Sequence, residues 1–235
     1  TAENLNPINF LENYESNIVT ARAIASLYMN YEIVSGLNFR SSINIDWRNR
    51  KHDTFLPSYV GLFRNPPPQD ATGSHSASTI TNWLNENTLT YDKTFGNDHR
   101  ASFLLGYTVQ KEVTGTESID GTGFPDDDVT TLNAATIITG STGIAEWSLL
   151  SYLARVNYAF KDKYLVTATV RRDGSSRFGG NNKWGVFPSG SVGWRISQEE
   201  FMRGLASVSD LKLRASYGFA GNNSIGNYTY IPGIT

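Results

Sequence analysis

The sequence predicts an all-β fold in which consecutive strands run antiparallel, up and down, within one sheet. Three observations predict it. Apolar residues recur at every second position in eight separate runs. The 235 residues include 12 Tyr, 12 Phe, 5 Trp and 21 Gly, a mixture that favours strands and turns over helices. The connections between the runs are mostly short and long in alternation, which is typical of an up-and-down sheet with unequal rims.

The first two runs form the clearest hairpin. From Ala21 to Tyr31 the odd positions are apolar, and most of their neighbours are polar. After the Gly-containing turn "VSG", the apolar positions resume from Leu37 to Trp47. Arg40 and Asp46 fall on the opposite face of this second run. Period-two alternation of this kind predicts two strands that each bury one face.

The third and fourth runs lie between two expected long loops. Three consecutive prolines exclude a sheet interior within 56–78, so a loop is predicted there. The third run, in "TITNWLNENTLTYDKTF", carries Asn85 and Asn87 on its apolar side, which the pattern does not explain. The turn "GNDH" leads to the fourth run, Ala101 to Val109. A second loop is expected from about Thr114 to Glu146 because alternation lapses there.

Four further runs continue the alternation. The fifth, Leu150 to Phe160, and the sixth, Tyr164 to Val170, are joined by the short turn "KDK". A polar loop precedes the seventh run, Val186 to Ile196. The segment "SQEEFMRGLASVSD" is predicted to hold one or two helical turns before the eighth run, Leu211 to Phe219. The first and eighth runs are expected to have one neighbouring strand each, because the sheet is predicted to stay open.

The aromatic positions favour a sheet that spans a membrane. One group lies near the short turns and a second near the long loops, which gives two belts about ten residues apart, as in strands that cross a hydrocarbon layer. The first group is Tyr31, Tyr91, Phe95, Tyr158, Phe160 and Tyr164, and the second is Trp47, Trp147, Trp184 and Phe219. The pattern leaves one alternative open, a soluble β-sandwich that binds carbohydrate through its loops.

Composition and motifs argue against several classes of site. The net charge of −2 gives no support for nucleic-acid binding, and the absence of cysteine excludes disulfides and thiolate metal sites. His52, His75 and His99 are scattered, and the acidic run 126–128 lacks the spacing of a calcium-binding helix-loop-helix, which favours a solvated loop. No Gly-x-Ser-x-Gly elbow occurs. We therefore predict no catalytic residue, cofactor or metal, and expect that the chain is not an enzyme.

Two segments resemble the SusC/RagA type of TonB-dependent outer-membrane transporter. They are "YLVTATVRRDGSSRFGGNNKWGVFPSGSVGWRISQEEFM" and "VSDLKLRASYGFAGNNSIGNY". The similar positions follow the same order and spacing: Arg172 to Phe178, Trp184–Gly185, Phe187 to Ser189, Gly193 to Ser197, Leu211 to Gly218 and Gly221–Asn222.

The resemblance implies a transmembrane β-barrel of 22 strands, of which residues 1–235 would be a partial barrel domain with open edges. The start of the chain shows no signal peptide, and no plug domain is recognised. The implied location is the outer membrane, where the barrel contacts lipid and its long loops are extracellular. The implied cargo is an oligosaccharide or a peptide. The implied partners are a SusD-like surface lipoprotein and, through the missing plug, the TonB system.

Such a wall would have one face in lipid and the other on a watery lumen. Phe178, Trp184 and Phe187 are expected to anchor the polar loop at the membrane interface. Tyr59, Phe124 and Phe178 are candidate cargo contacts that could stack on sugar rings, or could instead pack within their own loops. The candidate lumen-facing residues are Arg40, Asp46, Arg155, Arg171, Arg195, Lys212 and Arg214. The expected lipid-facing residues are Leu37, Ile43, Val156, Val166, Val192 and Leu213.

Overall fold

A computed structural model describes residues 7–61, 67–180, 182–202, 204 and 208–231. Parts of the expected loop at 56–78 and of the expected helical segment at 197–210 therefore lie outside the described residues. A short helix, α1 (Pro7–Asn13), precedes eight strands. The strands are β1 (Glu15–Val34), β2 (Leu37–Leu56), β3 (Thr72–Phe95), β4 (His99–Thr122), β5 (Ile137–Phe160), β6 (Tyr164–Ser175), β7 (Trp184–Arg195) and β8 (Lys212–Gly218).

All eight strands belong to one sheet, in the order in which they occur along the chain. The predicted all-β, up-and-down fold is confirmed. The soluble β-sandwich alternative is wrong, because a sandwich needs two sheets packed face to face. β1 and β8 end the order and have one neighbouring strand each among the described residues, as predicted.

The register of β5 to β8 separates an apolar face from a polar face. Paired residues in neighbouring strands lie on the same face of a sheet. Val166 pairs with Val192, which in turn pairs with Ala215, whereas Thr167 pairs with Ser191. We call the side that carries Val166 and Val192 the apolar face and the opposite side the polar face. Along each strand, successive side chains alternate between these two faces, as the period of two in the sequence predicts.

Several strands extend further than predicted. β1 begins at Glu15 rather than Ala21, and β2 continues from Trp47 to Leu56. β4 continues to Thr122 and β5 begins at Ile137, so the expected loop from Thr114 to Glu146 is wrong in its bounds. β3 likewise begins at Thr72, inside the predicted loop at 56–78. The stretch "TGTESIDGT" at the end of β4, residues 114–122, places few apolar residues on either face of the strand. Strand pairing therefore continues where the hydrophobic alternation has already ended.

Two compact units can be distinguished within the chain. The first comprises Thr1–Ile24, Asp46–Asn82 and Glu112–Glu146 and contains a small core. Buried Phe55, Leu56, Val60 and Ala71 form that core, and the Phe124 ring meets the Phe55 ring edge to face at 5.1 Å. The second unit comprises Ala25–Ile45, Trp83–Lys111 and Trp147–Thr235 and contains all of β6, β7 and β8.

The short turns have backbone conformations that their residues favour. Gly36, between β1 and β2, has φ +82, and a Cβ there would lie 2.5 Å from the backbone oxygen of Asp92. Only glycine fits both that left-handed conformation and that approach. Lys161 and Asp162, between β5 and β6, have φ 52 and 55, as the tightest hairpin turns require.

Helical structure is minor in the described chain. α1 has seven residues, and the predicted helical turns after β7 appear as 3-10 turns at Ile196–Gln198 and Glu200–Met202. Within the described ranges, none of the helices has the length and apolar character needed to cross a membrane.

The structure accounts for the two asparagines that interrupt the third apolar run. Asn85 donates to the backbone oxygen of Ser42 at 2.9 Å, and Asn87 donates to Asn85 Oδ1 at 2.7 Å. Ser41 donates to Asn87 Oδ1 at 2.8 Å. These bonds satisfy polar groups that would otherwise be costly beside apolar side chains.

Candidate functional site

A cavity of about 590 Å³ lies on the polar face of β5, β6 and β7 in the second unit. The loop after β6 and the segment that follows β8 complete it. Cavities of this size are typical of small-molecule sites. Its lining includes Leu149, Leu153, Arg155, Thr169, Arg171, Asp173, Phe178, Phe187, Phe219, Asn222 and Asn223.

The charged residues that line the cavity include Arg155, Lys183 and an ion pair between Arg171 and Asp173. Arg171 Nε lies 2.7 Å and 2.9 Å from the two carboxylate oxygens of Asp173, and Arg171 also donates to Ser151 Oγ at 3.0 Å. Ser151 is buried, and Asp173 is 23% exposed. Arg155 donates to Thr169 Oγ1 at 3.1 Å. Two cationic side chains are thus held in defined orientations by polar neighbours.

Arg177 fixes the loops that border the cavity. Its guanidinium donates to Asn227 Oδ1 at 2.9 Å and to the backbone oxygen of Asn223 at 3.1 Å. It also stacks on Trp147 at 4.5 Å. Ser176 and Ser148 exchange two further bonds, of 2.8 Å and 3.0 Å. These contacts join the loop that carries Phe178 to β5 and to the segment after β8, and so position the Phe178 ring.

Aromatic rings and glycines shape the rest of the cavity. Phe187 pairs with Arg171 and therefore lies on the polar face. Its ring covers Gly185, where a Cβ would approach it to 2.6 Å, and it also covers Gly221. Phe187 and Trp184, which were both expected to anchor the loop at the membrane interface, therefore lie on opposite faces of the sheet. Trp184 pairs with Gly174 and lies on the apolar face, because adjacent positions of a strand alternate in direction.

This arrangement suits binding rather than covalent chemistry. It offers a guanidinium–carboxylate pair, asparagine side chains and flat apolar rings, which together complement polar chains that also have apolar faces. The carboxylate of Asp173 is bonded to a guanidinium that is itself held by Ser151. In the described residues, no group of three His, Asp or Glu side chains converges as a metal site would require.

The cavity contains only some of the predicted site residues. Arg155, Arg171 and Phe178 line it. Arg195 pairs with Lys212, and Gly193 with Arg214, so Arg195, Lys212 and Arg214 share the polar face but lie outside the cavity. Their exposure to a lumen stays a prediction.

The other candidates have partners elsewhere. Arg40 stacks on Tyr28 at 4.9 Å. Asp46 accepts two bonds from Arg22, at 2.9 Å and 2.7 Å. In the first unit, the Tyr59 hydroxyl donates to Asn13 Oδ1 at 3.2 Å.

The acidic run and the histidines have local contacts. Asp127 accepts from the backbone nitrogen and hydroxyl of Ser58, and Asp126 accepts from two backbone nitrogens of its own turn. His52, His75 and His99 contact Ser16, Asp53 and Tyr158 respectively. The hydrogen bonds to Asp126 and Asp127 therefore order the loop that carries these carboxylates.

Several lining residues escaped prediction from the sequence. Lys183 and Asn223 carry no motif of their own, and Asn222 was singled out only as part of the Gly221–Asn222 motif; the contribution of all three depends on how the loops fold. Arg177 lies within "RDGSSRF", so the motif itself was the available signal for its importance.

Comparison with known proteins gives a consistent result. Residues 3–233 match the family described as TonB dependent receptor-like, beta-barrel. TonB-dependent receptor P39 of Formosa agariphila is 35% identical over 229 residues, which are 95% of this chain and 22% of that protein. TonB-dependent receptor SusC of Bacteroides thetaiotaomicron is 46% identical over 86 residues, which are 36% of this chain and 9% of SusC. The chain thus spans about a fifth of the length of P39.

The fold comparison agrees. The structure of the RagAB peptide transporter superposes with a TM-score of 0.83 at 23% identity, over 93% of this chain and 24% of that one. The fold and the matches together define a strand-built wall of an outer-membrane protein. The chain belongs to the TonB-dependent receptor-like β-barrel family and, within it, to the SusC/RagA type.

Proposed function

We propose that the chain forms part of the wall of a TonB-dependent outer-membrane importer and that its polar face lines the cargo path. Residues 1–235 would then be a partial barrel domain whose apolar face lies in lipid. The cavity that contains Arg171, Asp173 and Phe178 carries this proposal, because it lies on the polar face of a sheet whose other face is apolar. Its chemistry suits binding and passage, and we assign it no catalytic role.

The cargo is proposed to be an oligosaccharide or a peptide. Guanidinium and amide groups recognise hydroxyls, carboxylates and peptide groups, while rings such as Phe178 and Phe187 pack on the flat faces of sugars or side chains. RagAB is called a peptide transporter, which supports the peptide class for a chain of this fold.

Two partners are proposed for the full-length protein that contains this chain. A SusD-like surface lipoprotein would cover the loop side, and the TonB system would supply energy through a plug domain. Both proposals come from the SusC/RagA membership of the chain.

Uptake by cells that carry the full-length protein containing this chain, here called the full-length parent, tests the proposal. Fluorescent oligosaccharides and peptides are offered to cells with the parent, to cells without it, and to cells that lack TonB. We expect at least one probe to accumulate only when both the parent and TonB are present. If no probe of either class depends on a surface-folded parent, the proposed import function is contradicted.

Substitutions in the cavity refine this test. Arg171→Gln and Phe178→Ala should lower the uptake of that probe about tenfold, because each loss of ~1.4 kcal/mol in binding is a tenfold change. Lys161→Gln is the matched control, since Lys161 lies on a short turn in an exposed pair that contributes little. Equal uptake by all variants would contradict a role for the cavity.

A further inference from the structure

The apolar face carries a second cavity, an open groove of about 490 Å³. Six of its lining residues are Leu105, Tyr107, Tyr152, Ala154, Val170 and Arg172. Ala154 pairs with Val170, and Tyr152 pairs with Arg172, which places these four on the apolar face. The groove is therefore on the opposite side of the sheet from the proposed cargo cavity.

Among the described residues that line this groove, Arg172 is the one charged side chain. Its guanidinium lies over the Trp184 ring at 4.5 Å. In the part of the chain that the structure describes, Arg172 has no ion-pair partner, and the neighbouring Asp173 is bonded to Arg171 on the polar face. A cation that is stacked on a ring keeps its N–H edges available for an anion.

Aromatic rings place Arg172 at the level of a membrane interface. The ring centroids of Tyr107 and Tyr152 lie 5.5 Å apart, and those of Tyr152 and Trp184 lie 6.1 Å apart. Rows of Tyr and Trp lie at the headgroup level in membrane walls. A charge at that depth costs several times less than a charge at the midplane. Arg172 also lies near the long-loop end of β6, which ends at Ser175.

We propose that the groove and Arg172 bind a phosphorylated, acylated lipid of the surrounding membrane. The apolar lining would hold an acyl chain, and the guanidinium would bind the phosphate with paired hydrogen bonds. Basic groups beside membrane-facing surfaces recognise lipid headgroups in this way. The inference rests on the sidedness proposed above but not on import.

Lipid binding to the purified full-length parent tests this inference. Native mass spectrometry in a neutral detergent would compare dimyristoyl phosphatidic acid with dimyristoylglycerol, which has the same acyl chains and no phosphate. We expect phosphatidic acid to bind the wild type about tenfold more tightly than Arg172→Gln, a difference of about 1.4 kcal/mol. Dimyristoylglycerol should bind both proteins equally. Arg214→Gln, which removes a cation from the polar face, should bind phosphatidic acid like the wild type.

Two further arms separate the possible failures. Ala154→Phe fills the groove without changing charge and should weaken binding of both lipids. If Ala154→Phe binds both lipids like the wild type, the groove does not hold acyl chains and the inference is overturned. If Arg172→Gln binds phosphatidic acid as tightly as the wild type does, or if the wild type binds dimyristoylglycerol as tightly as phosphatidic acid, the phosphate contact is overturned while the sidedness of the sheet stands. Displacement of phosphatidic acid by equimolar inorganic phosphate would indicate a free-anion site and would also overturn the inference.

Discussion

Glu199 connects the aromatic belt near the short turns to the chain that follows β7. Its carboxylate accepts from Trp194 Nε1 at 3.0 Å, Tyr164 OH at 2.8 Å and Lys163 Nζ at 3.0 Å. The bonds from Trp194, Tyr164 and Lys163, in that order, lower the pKa of Glu199 from 4.5 to about 2. Because Tyr164 pairs with Trp194, one carboxylate holds this belt residue and its cross-strand partner together.

The lowered pKa of Glu199 predicts a pH-dependent contribution to stability. A carboxylate with a depressed folded-state pKa stabilises the fold fully above its unfolded pKa and loses that effect as the pH falls through its folded pKa. The full-length parent should therefore have a higher thermal midpoint than Glu199→Gln at pH 7, and the difference should shrink between pH 4.5 and about 2. Glu12→Gln in exposed α1 is the control. A difference that is unchanged across this range would contradict the assignment.

Single residues also show where sequence reasoning reached its limit. Period-two alternation puts Arg171 and Asp173 on the same face of β6, where they form an ion pair. It did not explain Asn85 and Asn87, whose bonds go to Ser41 and Ser42 on another strand. Such partners depend on the cross-strand register, which no local pattern specifies.

At the scale of elements, the eight strands and their short turns were predictable, but the ends of the long strands were not. Alternation requires one apolar and one polar environment. Where β4 extends to Thr122 and β5 begins at Ile137, apolar and polar residues do not alternate strictly, so strand pairing left no periodic signal. The cargo cavity was predictable in part, since Arg155, Arg171 and Phe178 come from strands and a motif. Asn222 and Asn223 depend on loop folding.

The two edge strands predict how the isolated 235-residue chain behaves. β1 and β8 each have one neighbour among the described strands, and β8 is exposed along its length. Open edges and a continuous apolar face promote association in water. Expressed alone without detergent, the chain should elute in the void volume of a size-exclusion column. A monodisperse monomer in detergent-free buffer would contradict this prediction.

At the scale of the whole molecule, the proposed function depends on the difference between the apolar and the polar face of one sheet. Val156, Val166, Val192 and Leu213 expose apolar side chains that are 40%, 46%, 57% and 62% accessible in the chain alone. Burial of such surface in protein or lipid is worth about 25 cal/mol per Å². A face of this kind needs a partner along its whole extent, and we propose that the outer-membrane lipid is that partner.

Spin-label accessibility in the full-length parent, reconstituted into bilayers, tests this sidedness most directly. Labels at Val166, Val192 and Leu213 should respond to oxygen, which concentrates in lipid, and hardly to a water-soluble relaxant. Labels at Thr167, Ser191 and Arg214, the neighbouring positions of the same strands, should show the reverse. If the positions of the polar face respond to oxygen, or if both sets respond equally to the water-soluble relaxant, the sheet does not separate lipid from a watery lumen.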